Sequence, residues 1–446
     1  VLAAQLMLQM DFLIVIVALP RIQHDLGFSA AGLSWVPNAF ALSFGGLLLL
    51  GGRLGDMFGQ VRIFRTGLAV FVLSSLAGGF AQSAELLIAA RVVQGIGAAL
   101  AGPSVLALVS LLSRNEVERT RGLSLFIAVS SIGASAGLIL GGVLTEFISW
   151  RWSLLINVPV GLSVLALVGR LVPETRPKRA RLDVMGAIAA TLGSAGLVYG
   201  FIHAGEFGWS SKGTAAPFML AVALITAFVR IEGKHPEPLL DLALLRNGQR
   251  AIGLAVIALI VGMHFSLIFM LVQYLQRVLG FSPLVAGLAY IPLTATVFVI
   301  THFVPRLIHR FGAGMLLVAG SMLVAVSFGL FARMDATGSY FPSVFLPLIL
   351  HAVGIALVFA PATVAVLHEV PAHQSGAASG LLQMDQQIGG ALGIAAIAAV
   401  YALGSQPGAF VPGIKDAFYA AAAIAVIAAL LAVVAPWGRA CRPPST

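Results

Sequence analysis

The chain has little charge. Only 10% of its 446 residues are Asp, Glu, Lys or Arg, while 59% are hydrophobic. A soluble domain carries about 25% charge, so no single soluble core hides this much apolar surface and the solvent must be lipid. There is one cysteine, Cys441, which excludes an intrachain disulfide and any multi-cysteine metal site. There is no GxxxxGK[ST] loop and no large soluble domain, so nothing supports ATP as an energy source. HExxH and an ordered Ser-His-Asp set are absent, and the nine histidines lack ligand spacing. No metal centre, cofactor or enzymatic site is therefore expected. A basic leader is missing too. The run from Val1 to Leu19 carries an acid at its middle and does not read as a signal peptide. With no initiator Met, a few residues are expected to precede the first helix.

What the chain does have is apolar runs of about 20 residues or longer without polar alternation. Inside a bilayer every backbone polar group must be bonded internally, which leaves helices or closed barrels. Runs of this length without alternation are helices. The expected fold is all-α and polytopic, with fourteen transmembrane spans near 1–19, 31–51, 63–82, 84–111, 122–145, 152–172, 184–204, 215–231, 251–275, 283–304, 312–332, 341–366, 376–403 and 416–437. Short loops make neighbouring spans antiparallel. With the N-terminus placed in the cytoplasm, nineteen of the 26 Lys and Arg fall on inner loops, six on outer loops, and Arg91 within a span. That bias fits the positive-inside rule with both termini cytoplasmic. It also accounts for the net charge of +9 without a nucleic-acid partner.

The polar island from Gly51 to Arg65, GGRLGDMFGQVRIFR, has a degraded echo late in the chain. Arg53-Leu54 and Phe58-Gly59 recur as Arg306-Leu307 and Phe311-Gly312 at one offset of 253, with His309 where Asp56 stood. Ala101–Val105 resembles Phe359–Thr363, and Ile132-Gly133 with Gly137 resembles Ile388-Gly389 with Gly393. The basic loop from Glu174 to Asp183 falls where a six-helix half should end. These features divide the chain into an N-terminal six-helix half, 1–172; a linker with two extra spans, 173–250; and a C-terminal six-helix half with a short tail, 251–446. Repeated halves with a site near the midplane are the architecture of secondary transporters.

Six stretches then carry a family likeness, in order. They are MDFLIVIVALP (Met10 to Pro20), GRLGDMFGQVR in the loop between spans two and three, RVVQGIGAA (Arg91 to Ala99), WRWSLLINVPVG (Trp150 to Gly161), LVQYLQRVLGFSPLVAGL (Leu271 to Leu288) and SGLLQMDQQIGGALG (Ser379 to Gly393). Together they resemble the major facilitator superfamily, and more narrowly its fourteen-helix drug:proton antiporters. Three positions depart from the pattern. Leu138 stands where the span-five signature has Pro, Gln60 and Val61 stand where basic residues are usual, and Asp385 stands where a small polar residue is more common. The resemblance implies a multidrug exporter working by alternating access and driven by the proton gradient. It implies a monomer in the cell inner (plasma) membrane, whose partners are small hydrophobic or cationic compounds, protons and the bilayer. Leu138 keeps open a metabolite transporter or importer with different coupling. A membrane enzyme or a non-transporting sensor are the alternatives from other classes.

Intramembrane ionisable residues are expensive and mark function. Asp11 lies mid-span; it is either a proton carrier, as the resemblance implies, or a structural carboxylate paired with a cation. Arg91 is its expected partner, unless it snorkels to the surface, and Gln94 shares its helix face. Asp385, among Gln383, Gln386 and Gln387, is a second proton site, a selector of cations or a packing acid. Gly133, Gly137, Gly141 and Gly142 read as close helix packing or as a hinge between halves. In the loops, Gly52, Asp56, Gly59, Arg62, Glu118 and Arg119 form a gating network, with Asp56 paired to Arg62 or to a neighbouring helix end; the bland reading is a polar surface loop. Substrate contacts are assigned to Trp35, Asn38, Phe40, Gln94, Asn157, Phe265, Met270, Gln273, Tyr274, Gln276, Tyr290 and the three glutamines of span thirteen. Taken singly, each also reads as a lipid-facing, interfacial or packing residue. Trp150 and Trp152 read as an interfacial belt. His264, His302 and His351 lie in or near spans and could relay protons or be satisfied polar residues.

Overall fold

A computed structural model describes residues 1–112, 116–172, 174, 183–235, 238–240, 242–335, 338–368, 370, 375–405 and 410–435. Among them every regular element is helical. The first six spans are α1 (Leu2–Leu26), α2 (Trp35–Phe58), α3 (Gln60–Gly79), α4 (Ala84–Leu111), α5 (Glu116–Phe147) and the pair α6 (Trp152–Leu155) with α7 (Asn157–Leu171). The extra hairpin is α8 (Val184–Phe207) and α9 (Lys212–Glu232). The last six are α10 (Gly248–Arg277), the pair α11 (Pro283–Leu288) with α12 (Ile291–Phe311), α13 (Ala313–Phe331), α14 (Phe345–Leu367), α15 (Ser375–Gly404) and α16 (Phe410–Val434). Among the described residues, thirteen spans are long and apolar enough to cross a bilayer. Within the fourteenth, α5, the described apolar helix is the shorter Ser135–Phe147.

Spans six and ten differ from expectation in being broken. Each restarts with a proline in the first turn of the second piece, Pro159 in α7 and Pro292 in α12. Proline lacks the N–H that would join that turn to the preceding helix, but fits a helix start. Other starts carry side-chain caps. Ser83 Oγ accepts from Leu86 N ahead of α4, and Asn247 accepts from Arg250 N at 3.1 Å ahead of α10.

The chain forms two compact units. One comprises Val1–Ala195, Ala221–Leu240 and Phe281–Leu288; the other comprises Gly196–Leu220, Asp241–Gly280 and Ala289–Thr446. Helix pairing in the first unit is repeated in the second. The pairs α1 with α5, α2 with α4, α3 with α4 and α3 with α7 are matched by α10 with α15, α12 with α14, α13 with α14 and α13 with α16. The loop echo is matched in the backbone as well. Gly59 joins α2 to α3 at φ 97°, ψ 132°, and Gly312 joins α12 to α13 at φ 80°, ψ 154°. Both fall where a side chain is disfavoured, which is why glycine is retained at each end of the echo.

Candidate functional site

Asp11 is fully buried near the middle of α1, and so is Arg91 on α4. Arg91 Nη1 donates to Asp11 Oδ2 at 2.5 Å and to Gln94 Oε1 at 2.7 Å. Gln94 Nε2 donates to Asp11 Oδ1 and to Ser75 Oγ, each at 2.7 Å. Asn157 Nδ2 from α7 donates to the same Asp11 Oδ1 at 2.6 Å. Arg91 Nε reaches the Val36 carbonyl of α2 at 3.1 Å, and the guanidinium lies over the Phe40 ring, 4.5 Å from its centroid. Five helices thus converge on one carboxylate, all within the first unit.

The arrangement follows from packing. Gln94 sits one helical turn beyond Arg91 and shares its face. A Cβ at Gly95 would stand 2.5 Å from the Phe40 carbonyl, so the α4 backbone runs against α2 and the guanidinium can reach Val36. A Cβ at Gly137 would stand 2.8 Å from the Met10 carbonyl, so α5 presses on α1 at the level of Asp11. Gly133 and Gly141 repeat this contact one turn to either side, on Leu6, Gln9 and Ile14, while Gly142 faces Pro283 and Leu284 of α11. Leu138 is buried, and its carbonyl lies against Gly287.

Chemically, this is a charge-assisted ion pair inside a ring of amides. Both oxygens of Asp11 accept hydrogen bonds, and neutralising the carboxylate would remove the charge that holds Arg91. Some polar capacity is left over. Arg91 Nη2 and both polar atoms of Asn38 are buried with no partner among the described residues. Ser75, fully buried, links Gln94 to Asn157, the latter at 3.5 Å. Sequence reasoning missed it, because a serine in an apolar helix usually bonds its own backbone; Ser75 does so as well, donating to the Phe71 carbonyl at 2.7 Å.

Asp385 lies in α15, in the second unit. Its Oδ2 and Gln387 Oε1 are buried without partners among the described residues; Gln386 is half-buried and Gln383 exposed. Phe265 is half-buried, with its ring against Gly390, and Gln276 is half-buried. Met270, Gln273, Tyr274 and Tyr290 are buried. Gln273 Nε2 donates to the Phe269 carbonyl of its own helix, Tyr274 to the Asp335 carbonyl and Tyr290 to the Ile268 carbonyl. Those hydroxyls are committed to the backbone. Trp35 is half-buried at the start of α2. His302 is exposed.

The expected loop around Asp56 is helical up to Phe58: Asp56 lies exposed in the last turn of α2, and its Oδ1 accepts from Gln60 Nε2 at 3.0 Å. Among the described residues it makes no ion pair with Arg62. It reaches instead the first residue of α3, one of the two departures from the loop pattern. The Arg62 backbone N–H donates to Glu174 at 3.0 Å. Gly52 is half-buried, and a Cβ there would meet Pro103. Glu118 is exposed, and the side chain of Arg119 lies outside the described residues. Trp150 corrects the belt reading. It is 3% exposed, and its Nε1 donates to Asp25 at 2.8 Å, fastening the end of α1; Trp152 is exposed.

Comparison with known proteins places this geometry in a family. The model of the Major Facilitator Superfamily matches residues 1–394. The chain is 38% identical over 398 residues to the uncharacterized MFS-type transporter EfpA of Mycobacterium tuberculosis, covering 89% of this chain and 75% of that one. It is 36% identical over 450 residues to the cephamycin export protein CmcT of Amycolatopsis lactamdurans, covering 99% and 92%. Among solved structures, that of a mutant of the peptide transporter POT in complex with sulfate superposes with a TM-score of 0.73 over 97% of this chain and 92% of that one, at 14% identity, which speaks to the fold alone. On a family model that spans most of its length and on two relatives above 30% identity, the chain belongs to the Major Facilitator Superfamily.

Proposed function

We propose that this transporter exports small hydrophobic or cationic compounds in exchange for protons, by alternating access. The observation that carries the reading is the buried Asp11–Arg91 pair, because an ion pair at this depth is costly to keep for packing alone. Proton uptake at Asp11 loosens the ion pair with Arg91, and with it the bonding of α1 to α4. The relative named for cephamycin export, similar over nearly the whole chain, supports the direction of transport and a small-molecule cargo. The gradient is the energy source, with no cofactor and no enzymatic step. The excess of Lys and Arg on alternate loops supports placement in the cell inner membrane with both termini in the cytoplasm. The transporter works as one monomer, its halves 1–172 and 251–446 exchanging access between the two sides, with 173–250 as an inserted hairpin. Asp385 is a second proton group in this scheme, and Asp56 and Arg62 on either side of the α2–α3 junction, with Glu118 and Arg119 at the start of α5, latch one state.

The test is ethidium uptake into inverted vesicles energised by a pH gradient. Asp11→Asn should abolish uptake, while Asp11→Glu, which keeps the carboxyl group, should retain part of it at equal expression. Undiminished uptake by Asp11→Asn would sink the proton role.

A further inference from the structure

The second unit holds a buried polar chain that the reading above does not use. His264 Nδ1 on α10 lies 3.1 Å from His351 Nε2 on α14, with the two ring planes within 12° of parallel and the centroids 5.4 Å apart. His351 Nδ1 lies 3.2 Å from Ser327 Oγ on α13, and Ser327 Oγ lies 2.6 Å from the Val324 carbonyl. The protons in this chain can be placed. A carbonyl brings no hydrogen, so a 2.6 Å contact between two oxygens requires the serine hydroxyl to donate to Val324. Ser327 then accepts from His351 Nδ1–H. Among the described residues no acid touches either imidazole, and a buried imidazolium without a counter-charge is costly. His351 is therefore neutral, and its Nε2 is an acceptor. The N–H between the rings belongs to His264 Nδ1. That leaves His264 Nε2 with a lone pair and, among the described residues, no partner. His351 and Ser327 are fully buried, whereas His264 is partly exposed.

The place of this chain in the repeat is informative. The 253 residues that separate Phe58 from Phe311 also separate Asp11 from His264, and Ser74, the neighbour of Ser75, from Ser327. The echo of Ala101–Val105 in Phe359–Thr363 sets His351 against Val93, between Arg91 and Gln94. The histidine chain thus lies in the second unit within one or two residues of the positions that the Asp11 network occupies in the first. In the first, every oxygen of the central side chain is taken. In the second, one acceptor is left open.

We infer that His264 is a ligand-binding residue, presenting its Nε2 lone pair to an N–H or O–H group of the transported compound, with His351 and Ser327 as positioning residues that fix the tautomer. This rests on the export reading, since it names one polar contact of that cargo. Two permanent cations separate the cases. Ethidium carries two aromatic amino groups, and tetraphenylphosphonium carries no hydrogen-bond donor. With purified protein in detergent and no gradient, His264→Leu should weaken ethidium binding about tenfold, the worth of one buried hydrogen bond, and leave tetraphenylphosphonium unchanged. His351→Leu should do the same, while His351→Gln, whose Oε1 can still accept from His264, should recover most of the loss. Equal losses for both cations, or none for either, overturn the assignment. Nitrogen-15 spectra of histidine-labelled protein check the tautomer without any ligand: His264 should carry its proton on Nδ1, and a proton on Nε2 overturns the assignment. If the wild type binds neither cation, the export reading fails and the ligand role with it, while the tautomer is still decided by the spectra.

Discussion

The Asp11–Arg91 pair can be tested as a pair. Asp11→Asn keeps an oxygen for Gln94 and Asn157 but leaves a buried guanidinium without its counter-charge. Arg91→Gln removes the 2.5 Å ion pair and the bond to Val36 together, and leaves the carboxylate held only by amides. Each single change removes one partner of a fully buried pair, which costs about 3–5 kcal/mol. The double variant has no stranded charge. With the charge centres about 4 Å apart and an effective dielectric of about 20, the lost attraction is on the order of 4 kcal/mol, and it is lost only once. The double variant should therefore be destabilised by about 2–4 kcal/mol less than the sum of the singles. Unfolding of the purified proteins in mixed micelles, titrated with denaturing detergent, reads all four corners of the cycle. Additivity within about 0.5 kcal/mol would show that the two side chains do not act on one another, and would refute the site as drawn.

Two further predictions concern packing and caps. At Gly137 a Cβ would stand 2.8 Å from the Met10 carbonyl, so Gly137→Val should destabilise by about 1–3 kcal/mol and lower the folded yield. Gly329, whose Cβ would meet nothing within 4 Å, is the control, and Gly329→Ala should be neutral or slightly stabilising in the same assay. Buried Arg250 donates Nε to Val366 O at 2.8 Å, Nη1 to Leu244 O at 3.0 Å and Nη2 to His368 O at 2.9 Å, closing the C-terminal end of α14. Arg250→Ala should cost about 3–5 kcal/mol by thermal unfolding, because three carbonyls lose a charged donor. Arg250→Lys should recover less than half, since one ammonium cannot span them. Equal stability of the lysine variant and the wild type would contradict this account.

How much was legible beforehand depended on the range of the interaction. Spans could be read because bilayer thickness fixes the length of an apolar run, and a loop between them must be polar. The breaks in spans six and ten could not, since proline in an apolar run is compatible both with a kinked helix and with a restart. The Asp11–Arg91 contact could be anticipated from scarcity, each being almost alone in kind within the spans. Asn157 stood among the substrate residues, but it bonds Asp11, and no local feature distinguishes those uses. Trp150 beside Arg151 looks interfacial in sequence. Only the approach of Asp25 from α1, 125 positions away, reveals it as an anchor.

The two units also show which features a duplicated helical core can lose separately and which must be lost together. Glycine contacts that set backbone approach recur: Gly137 against Met10 is matched by Gly393 against Gly262, and Gly133 by Gly389 against Ala258. A larger residue at any one of these would drive the two backbones apart, so each is held independently of the chemistry nearby. Charges are different. Where the first unit has Asp11, the second has His264; where the first has Arg91, the same register that aligns Pro103 with Pro361 gives Ile349. Neither the acid nor the base stands at the matching positions. Energetics require this, because a chain that lost only one would bury the other uncompensated, at about 3–5 kcal/mol. A neutral imidazole carries no such obligation. It is satisfied on one side by His351 and can stay open on the other, which the carboxylate of Asp11 at the same depth could not do.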